Sequence, residues 1–151
     1  MAKAGYTATT GAAVSTGTAL KTILTVIAPA QFGVDLKKIR LAFDGVTASA
    51  VPILVELWRF TTDGTGTSGT VNQIYGKTIT PGFTTKYNYT AEPTGLTGPL
   101  DQWLQDPNKG VVIYDWPLGD TPDTAVSEGF ALRTTAPATV NCRAAMYCER
   151  A

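Results

Sequence analysis

The chain contains no histidine. That absence removes Ser-His-Asp and Cys-His nucleophilic catalysis, together with every His-ligated metal centre. Cysteine is scarce as well, and Cys142 and Cys148 alone are too few for a structural zinc site. If both lie on one strand, a rise of ~3.3 Å per residue sets them ~20 Å apart, far beyond the ~7 Å Cα–Cα limit for a disulfide. The spacing therefore predicts two buried thiols. Charge is thin: 16% of residues are charged, and twelve basic residues balance twelve acidic ones. With no basic stripe to neutralise phosphates, nucleic acid is not an expected partner. No apolar run approaches the ~20 residues that span a bilayer, so no membrane association is expected. The first twenty residues lack the compact apolar segment of a secretory signal, which predicts synthesis and folding in the cytoplasm.

What is present is strand chemistry. Thr, Val, Ile and aromatic residues dominate, and these favour pleated structure. At 151 residues the chain suits one domain, able to bury roughly 70% of its unfolded surface. The organising stretch is Leu36 to Phe60. Ile39, Leu41 and Phe43 alternate with Lys38 and Arg40, the period-two pattern of a half-buried strand. Asp44-Gly45 supplies turn chemistry before a small-residue loop. Val51 to Phe60 is apolar on both faces, and Pro52 predicts that this strand starts there or lies at an edge.

Further strands are expected at Lys21 to Ile27, Val71 to Thr80, Thr84 to Thr90, Gly110 to Trp116, Phe130 to Thr135 and Val140 to Glu149. Thr61 to Thr70 is predicted to be a flexible Gly/Thr/Ser loop. Glu92 to Pro107 is broken by three prolines, with room for one helical turn at Leu100 to Asp106. Residues 1–19, small and polar, are expected to form an extended N-terminal arm, and residues 20–151 one β-sandwich domain. The fold class predicted is all-β, a single-domain jelly-roll-like β-sandwich of about eight strands.

Each chemical motif has a plainer reading beside it. Gly64, Gly66 and Gly69 spell G-x-G-x-x-G, but the sequel is β-prone rather than helical, so a hairpin loop fits better than a dinucleotide site. Asp115, Asp120, Asp123 and Glu128 crowd one region, as in a carboxylate glycosidase or a calcium loop, yet Asp in Gly/Pro-rich sequence is ordinarily turn chemistry. Trp58, Trp103, Trp116, Tyr87 and Tyr89 suit a sugar-stacking platform. Trp58 and Trp116, inside strands, are instead expected in or beside the core, leaving Trp103 as the freer contact residue. Asn88-Tyr89-Thr90 matches the glycosylation triplet without a secretory context. No catalytic, cofactor-binding or metal-ligating residues are assigned, no cofactor is expected, and the chain is read as a non-enzyme.

Five segments taken in order carry a resemblance: Ala42 to Gly45 (AFDG), Pro52 to Leu57 (PILVEL), Thr61 to Thr65 (TTDGT), Trp116 to Gly119 (WPLG) and Arg133 to Asn141 (RTTAPATVN). Together they resemble a family of small β-sandwich decoration (cement) proteins of tailed-bacteriophage capsids. The resemblance spans most of residues 20 to 149 and departs most between Phe83 and Asn108. It implies a virion protein on the capsid outer surface, with the major capsid protein lattice as partner and a homotrimer at three-fold positions. A tail- or fibre-associated glycan-binding module is the alternative. The arm is the expected contact with a neighbour, through Tyr6, Thr7, Thr9 and Thr10, with Trp103 as a second contact.

Overall fold

The computed structural model describes residues 4–44, 51–76 and 78–151. Twelve strands and no helix occur among them: β1 (Gly5–Thr9), β2 (Val14–Ser15), β3 (Lys21–Ile27), β4 (Val34–Asp44), β5 (Ile53–Phe60), β6 (Thr65–Ser68), β7 (Val71–Tyr75), β8 (Thr84–Ala91), β9 (Thr97–Gln105), β10 (Val112–Asp115), β11 (Gly129–Thr135) and β12 (Asn141–Arg150). They form an all-β sandwich. Sheet I runs β10-β4-β12-β1-β7, with β2 also on β12, and sheet II runs β6-β8-β3-β11-β5-β9. All of the pairings between named strands are antiparallel. From β2 onward most connections cross from one sheet to the other, so the inner faces of both meet in one core.

Both strands expected between Leu36 and Phe60 form, but they do not pair with each other and lie in different sheets. β4 pairs with β12 in sheet I and β5 with β11 in sheet II. On β4, Ile39 and Leu41 are fully buried and Phe43 nearly so, while Arg40 is exposed. A bulge opposite Tyr147 and Cys148 shifts the register, so Lys37 and Lys38 both stand outside the core. β5 begins directly after Pro52 and lies between β11 and β9; Ile53, Val55 and Leu57 on its inner face are buried, while Leu54, Glu56 and Trp58 on the outer face are half-buried. The Asp44-Gly45 turn and the loop at 45–50 lie outside the described residues, as do residues 1–3 and 77.

Five sequence expectations are corrected. The N-terminal segment is no free arm: β1 lies between β12 and β7, and Val14–Ser15 continues along β12. Tyr6 and Ala8 point inward at 0% exposure while Thr7 and Thr9 point outward, a period-two pattern hidden by small residues. The Thr61 to Thr70 loop contains β6, which pairs with β8. The proposed helical turn at Leu100 to Asp106 is instead the end of strand β9. Gly110 to Trp116, expected as a buried strand, is the short edge strand β10, largely exposed because only β4 flanks it. The eight expected strands become twelve because short Thr/Gly-rich pairings leave little hydrophobic trace.

Cys142 and Cys148 are free and buried, both on the inward side of β12, as their even spacing requires. Burial pushes the Cys142 thiol up to about 12 and that of Cys148 higher still.

Candidate interaction surface

Among the described residues sheet I ends in β10 and β7, and sheet II in β6 and β9. β9 ends sheet II and β10 ends sheet I, and the two meet on one side of the molecule. Register explains how. Trp103 on β9 lies opposite Val55, and Tyr114 on β10 opposite Ile39, so both aromatics project toward the gap between the sheets. Their rings stack at 5.8 Å with an interplanar angle of 8°. Trp116 meets Tyr114 edge-on at 4.8 Å, and its backbone N–H donates to the Lys37 carbonyl. The Trp103 indole N–H donates to Gln105 Oε1 at 3.4 Å, and Gln105 Nε2 donates to the carbonyls of Leu41 and Gly110. The aromatic stack thus closes the open flank of the core, and Gln105 ties sheet II to sheet I behind it.

Apolar residues also stand exposed on the outer faces of both sheets beside the seam, Leu104 on that of sheet II opposite Leu54 and Ile113 on that of sheet I opposite Arg40. Leu104 is 67% exposed, Val111 and Ile113 are about half exposed, and Leu118 is fully exposed. The alternation that turns Trp103 inward turns Leu104 outward, and the one that turns Tyr114 inward turns Ile113 outward. A hydrogen bond from the Tyr114 hydroxyl to Asp101 raises the Tyr114 pKa, with burial and the Asp101 charge acting in the same direction. Two unpaired strand edges beside exposed Leu, Val and Ile are the features that promote association in water.

The sequence-predicted contact residues divide sharply. Tyr6 is fully buried; its hydroxyl donates to the Ile79 carbonyl at 2.9 Å and its ring meets Phe83 edge-on at 5.4 Å. Thr10 is buried, its backbone N–H donating to the Ala144 carbonyl and its hydroxyl accepting from the Ala144 N–H. Thr7 and Thr9 sit half-buried on the outer face of sheet I. Trp103 is half-buried, with one ring face covered by Tyr114. The structure does not bring the five together. Sequence reading missed these exposed apolar residues, Leu104 on the outer face of sheet II and Val111 and Ile113 on the side of sheet I, because Pro and Gly nearby interrupt the alternation.

The remaining motifs have structural roles. Gly64 and Gly66 let β6 lie close against β8: a Cβ on Gly64 would meet the Ala91 carbonyl oxygen at 2.1 Å, and one on Gly66 the Tyr89 ring at 3.0 Å. Of the crowded acids, Asp115 pairs with Lys38 at 3.4 Å and Asp123 with Arg59 at 3.2 Å. Glu128 accepts from the Ala125 N–H, and Asp120 sits in a turn closed on Pro117. Among the described residues no three of His, Cys, Asp and Glu gather to hold a metal ion. Tyr89 is buried rather than sugar-facing, its hydroxyl held between Asp63 and Thr25. Trp58 and Trp116 are half-buried, with the Arg133 guanidinium 5.7 Å from the Trp58 ring.

No protein-family model matches the chain, and no curated protein does. Among solved structures the chain is similar to the infectious bursal disease virus VP2 subviral particle, at 10% identity over 97% of this chain and 41% of that one, with a TM-score of 0.26. It is also similar to the structure of the infectious bursal disease virus Gx strain, at 8% identity over 99% of this chain and 40% of that one, with a TM-score of 0.20. The chain spans about two fifths of the length of each. Likeness of this size carries no argument about function.

Proposed function

We propose that the protein is a structural component of a virion: a decoration protein that binds the outer surface of a tailed-phage head and stabilises the expanded shell through non-covalent contacts. The observation that carries this reading is the β9–β10 seam, where two unpaired sheet edges stand beside exposed Leu104, Val111 and Ile113. A protein working alone in water gains nothing from such an edge; one that lives against a neighbour buries it. The ordered segments from Ala42 to Asn141 that resemble phage decoration proteins supply the kind of assembly. No chemistry is required of such a protein. Binding one lattice state at a free concentration of 100 times Kd adds about 2.7 kcal/mol to that state per site. A trimer at three-fold positions is the arrangement we favour, closed symmetry being the rule for homo-oligomers.

The test is copy number per particle, measured by quantitative mass spectrometry of purified virions against the major shell protein. Hundreds of copies in a fixed ratio support decoration. A handful places the protein in the tail or portal, where glycan recognition becomes the leading reading, and absence from particles overturns the proposal. A Leu104→Lys/Ile113→Lys double variant, changed only at exposed side chains, is expected to keep its fold and lose shell occupancy.

A further inference from the structure

The outer face of sheet I holds an unexplained pair of cations. Arg40 on β4 lies opposite Ala145 on β12, and Arg143 lies opposite Ala42. The two arginines are therefore diagonal neighbours on adjacent antiparallel strands, which puts them about 7–8 Å apart. Both are exposed. The other cations of this face are engaged: Lys38 pairs with Asp115 at 3.4 Å, and Lys37 with Asp35 at 3.3 Å and Glu149 at 3.5 Å. Arg40 makes only a 3.1 Å hydrogen bond to the Tyr147 hydroxyl. Among the described residues neither Arg40 nor Arg143 has a carboxylate within ion-pair distance, although Asp44 is diagonal to Arg143 on its other side. Between the arginines the outward residues are small. Ala42 and Ala145 floor an open cavity of about 290 Å³ that Thr9 and Gly11 border on one side and Val111 on the other.

We propose that this cavity receives an extended acidic polypeptide segment of a partner, with two carboxylates spaced two residues apart seated on Arg40 and Arg143. An extended chain advances about 6.5–7 Å over two residues and turns both side chains to the same face, which matches the diagonal spacing of the arginines. Each guanidinium offers a planar fork of donors suited to bidentate capture of a carboxylate. The alanine floor lets a backbone lie low between them. A nucleic acid is disfavoured because Asp44 and Asp115 border the same face and the chain carries no net charge.

The experiment measures fluorescence anisotropy of labelled twelve-residue peptides with the full chain at low salt. The (Thr-Glu)₆ peptide, which turns a row of carboxylates to one side, is expected to bind with an affinity that falls as salt is raised. The same peptide with Gln for Glu is expected not to bind, and (Glu-Glu-Thr-Thr)₃, which breaks the two-residue spacing, to bind more weakly. Arg40→Gln and Arg143→Gln should each weaken (Thr-Glu)₆ binding about threefold to fivefold and the double variant about tenfold, with unchanged melting temperatures. Undetectable binding of (Thr-Glu)₆ at millimolar concentration, equal binding of the Gln peptide, no loss in the double variant, or tighter binding of single-stranded oligothymidylate would each overturn the proposal.

Discussion

Tyr6 is the position at which the folded role of the N-terminal segment can be measured. It is fully buried on β1, hydrogen-bonded to the Ile79 carbonyl at 2.9 Å and edge-on to Phe83 at 5.4 Å and 88°. Tyr6→Phe removes only the hydroxyl and is expected to destabilise by about 1 kcal/mol, the net worth of one hydrogen bond. Tyr6→Ala also removes the ring, leaving a cavity beside Phe83, and should cost about 3–5 kcal/mol. For a domain of this size 1 kcal/mol corresponds to about 2–4 °C, so melting should fall by about 6–20 °C in Tyr6→Ala and about 2–4 °C in Tyr6→Phe. Thermal unfolding followed by circular dichroism at fixed protein concentration reads both. Deleting residues 1–9 should be at least as damaging, since it strips β12 of a neighbouring strand and opens the core under Tyr6. A free arm would behave in the opposite way, with melting unchanged by either change. A Tyr6→Ala protein that melts within a degree or two of the wild type would refute the placement of β1.

Three further outcomes follow from the packing. Cys142 and Cys148, buried and with raised pKa values, should resist alkylation by iodoacetamide at pH 8 in the folded protein and react fully in denaturant; rapid labelling of the native state would contradict their burial. Gly129→Ala should destabilise by about 2 kcal/mol or more, because a Cβ there would lie 2.6 Å from the Val26 carbonyl oxygen and 2.3 Å from the Phe60 ring; chemical denaturation measures it, and a neutral effect would mean the β11–β3 contact is looser than described. The Tyr75 hydroxyl donates to Glu149 at 2.6 Å, and that bond, with burial and the Glu149 charge, raises its pKa from 10.0 to about 12. The neutral phenol is thus favoured by folding, so its stabilisation is complete below pH 10 and disappears between pH 10 and about 12. With the ring half exposed the contribution should stay below about 1 kcal/mol; a stability gap between wild type and Tyr75→Phe that is unchanged from pH 9 to pH 12 would contradict it.

The fold class was written in local pattern. Alternation at Ile39, Leu41 and Phe43, the doubly apolar run after Pro52, and the even spacing of Cys142 and Cys148 specified strands and their inward faces, because side-chain direction along a strand depends only on parity. Absence of histidine likewise limits the available chemistry. Partner choice between strands was not legible. β4 and β5 are consecutive and strongly patterned, yet β5 pairs with β11 about 70 to 80 residues further on and β4 with β12 about 100 or more, and such non-local pairing leaves no trace in a short window. The same holds for β1. Its alternation of Tyr6 and Ala8 with Thr7 and Thr9 was present in the sequence, but residues that small become core only when β12 and β7 close around them. Trp103 looked like a free contact because its neighbours are polar; Tyr114, brought from another sheet, covers it. The Arg40–Arg143 pair also exists only by virtue of register, since more than a hundred residues separate two side chains that β4 and β12 set on one face. Sequence by itself determined which side of the strongly patterned strands, such as β4 and β12, meets water, and tertiary structure decided which strands pair and which sit at an exposed edge, because strand pairing is an equilibrium among whole-chain arrangements and parity is a property of a single strand.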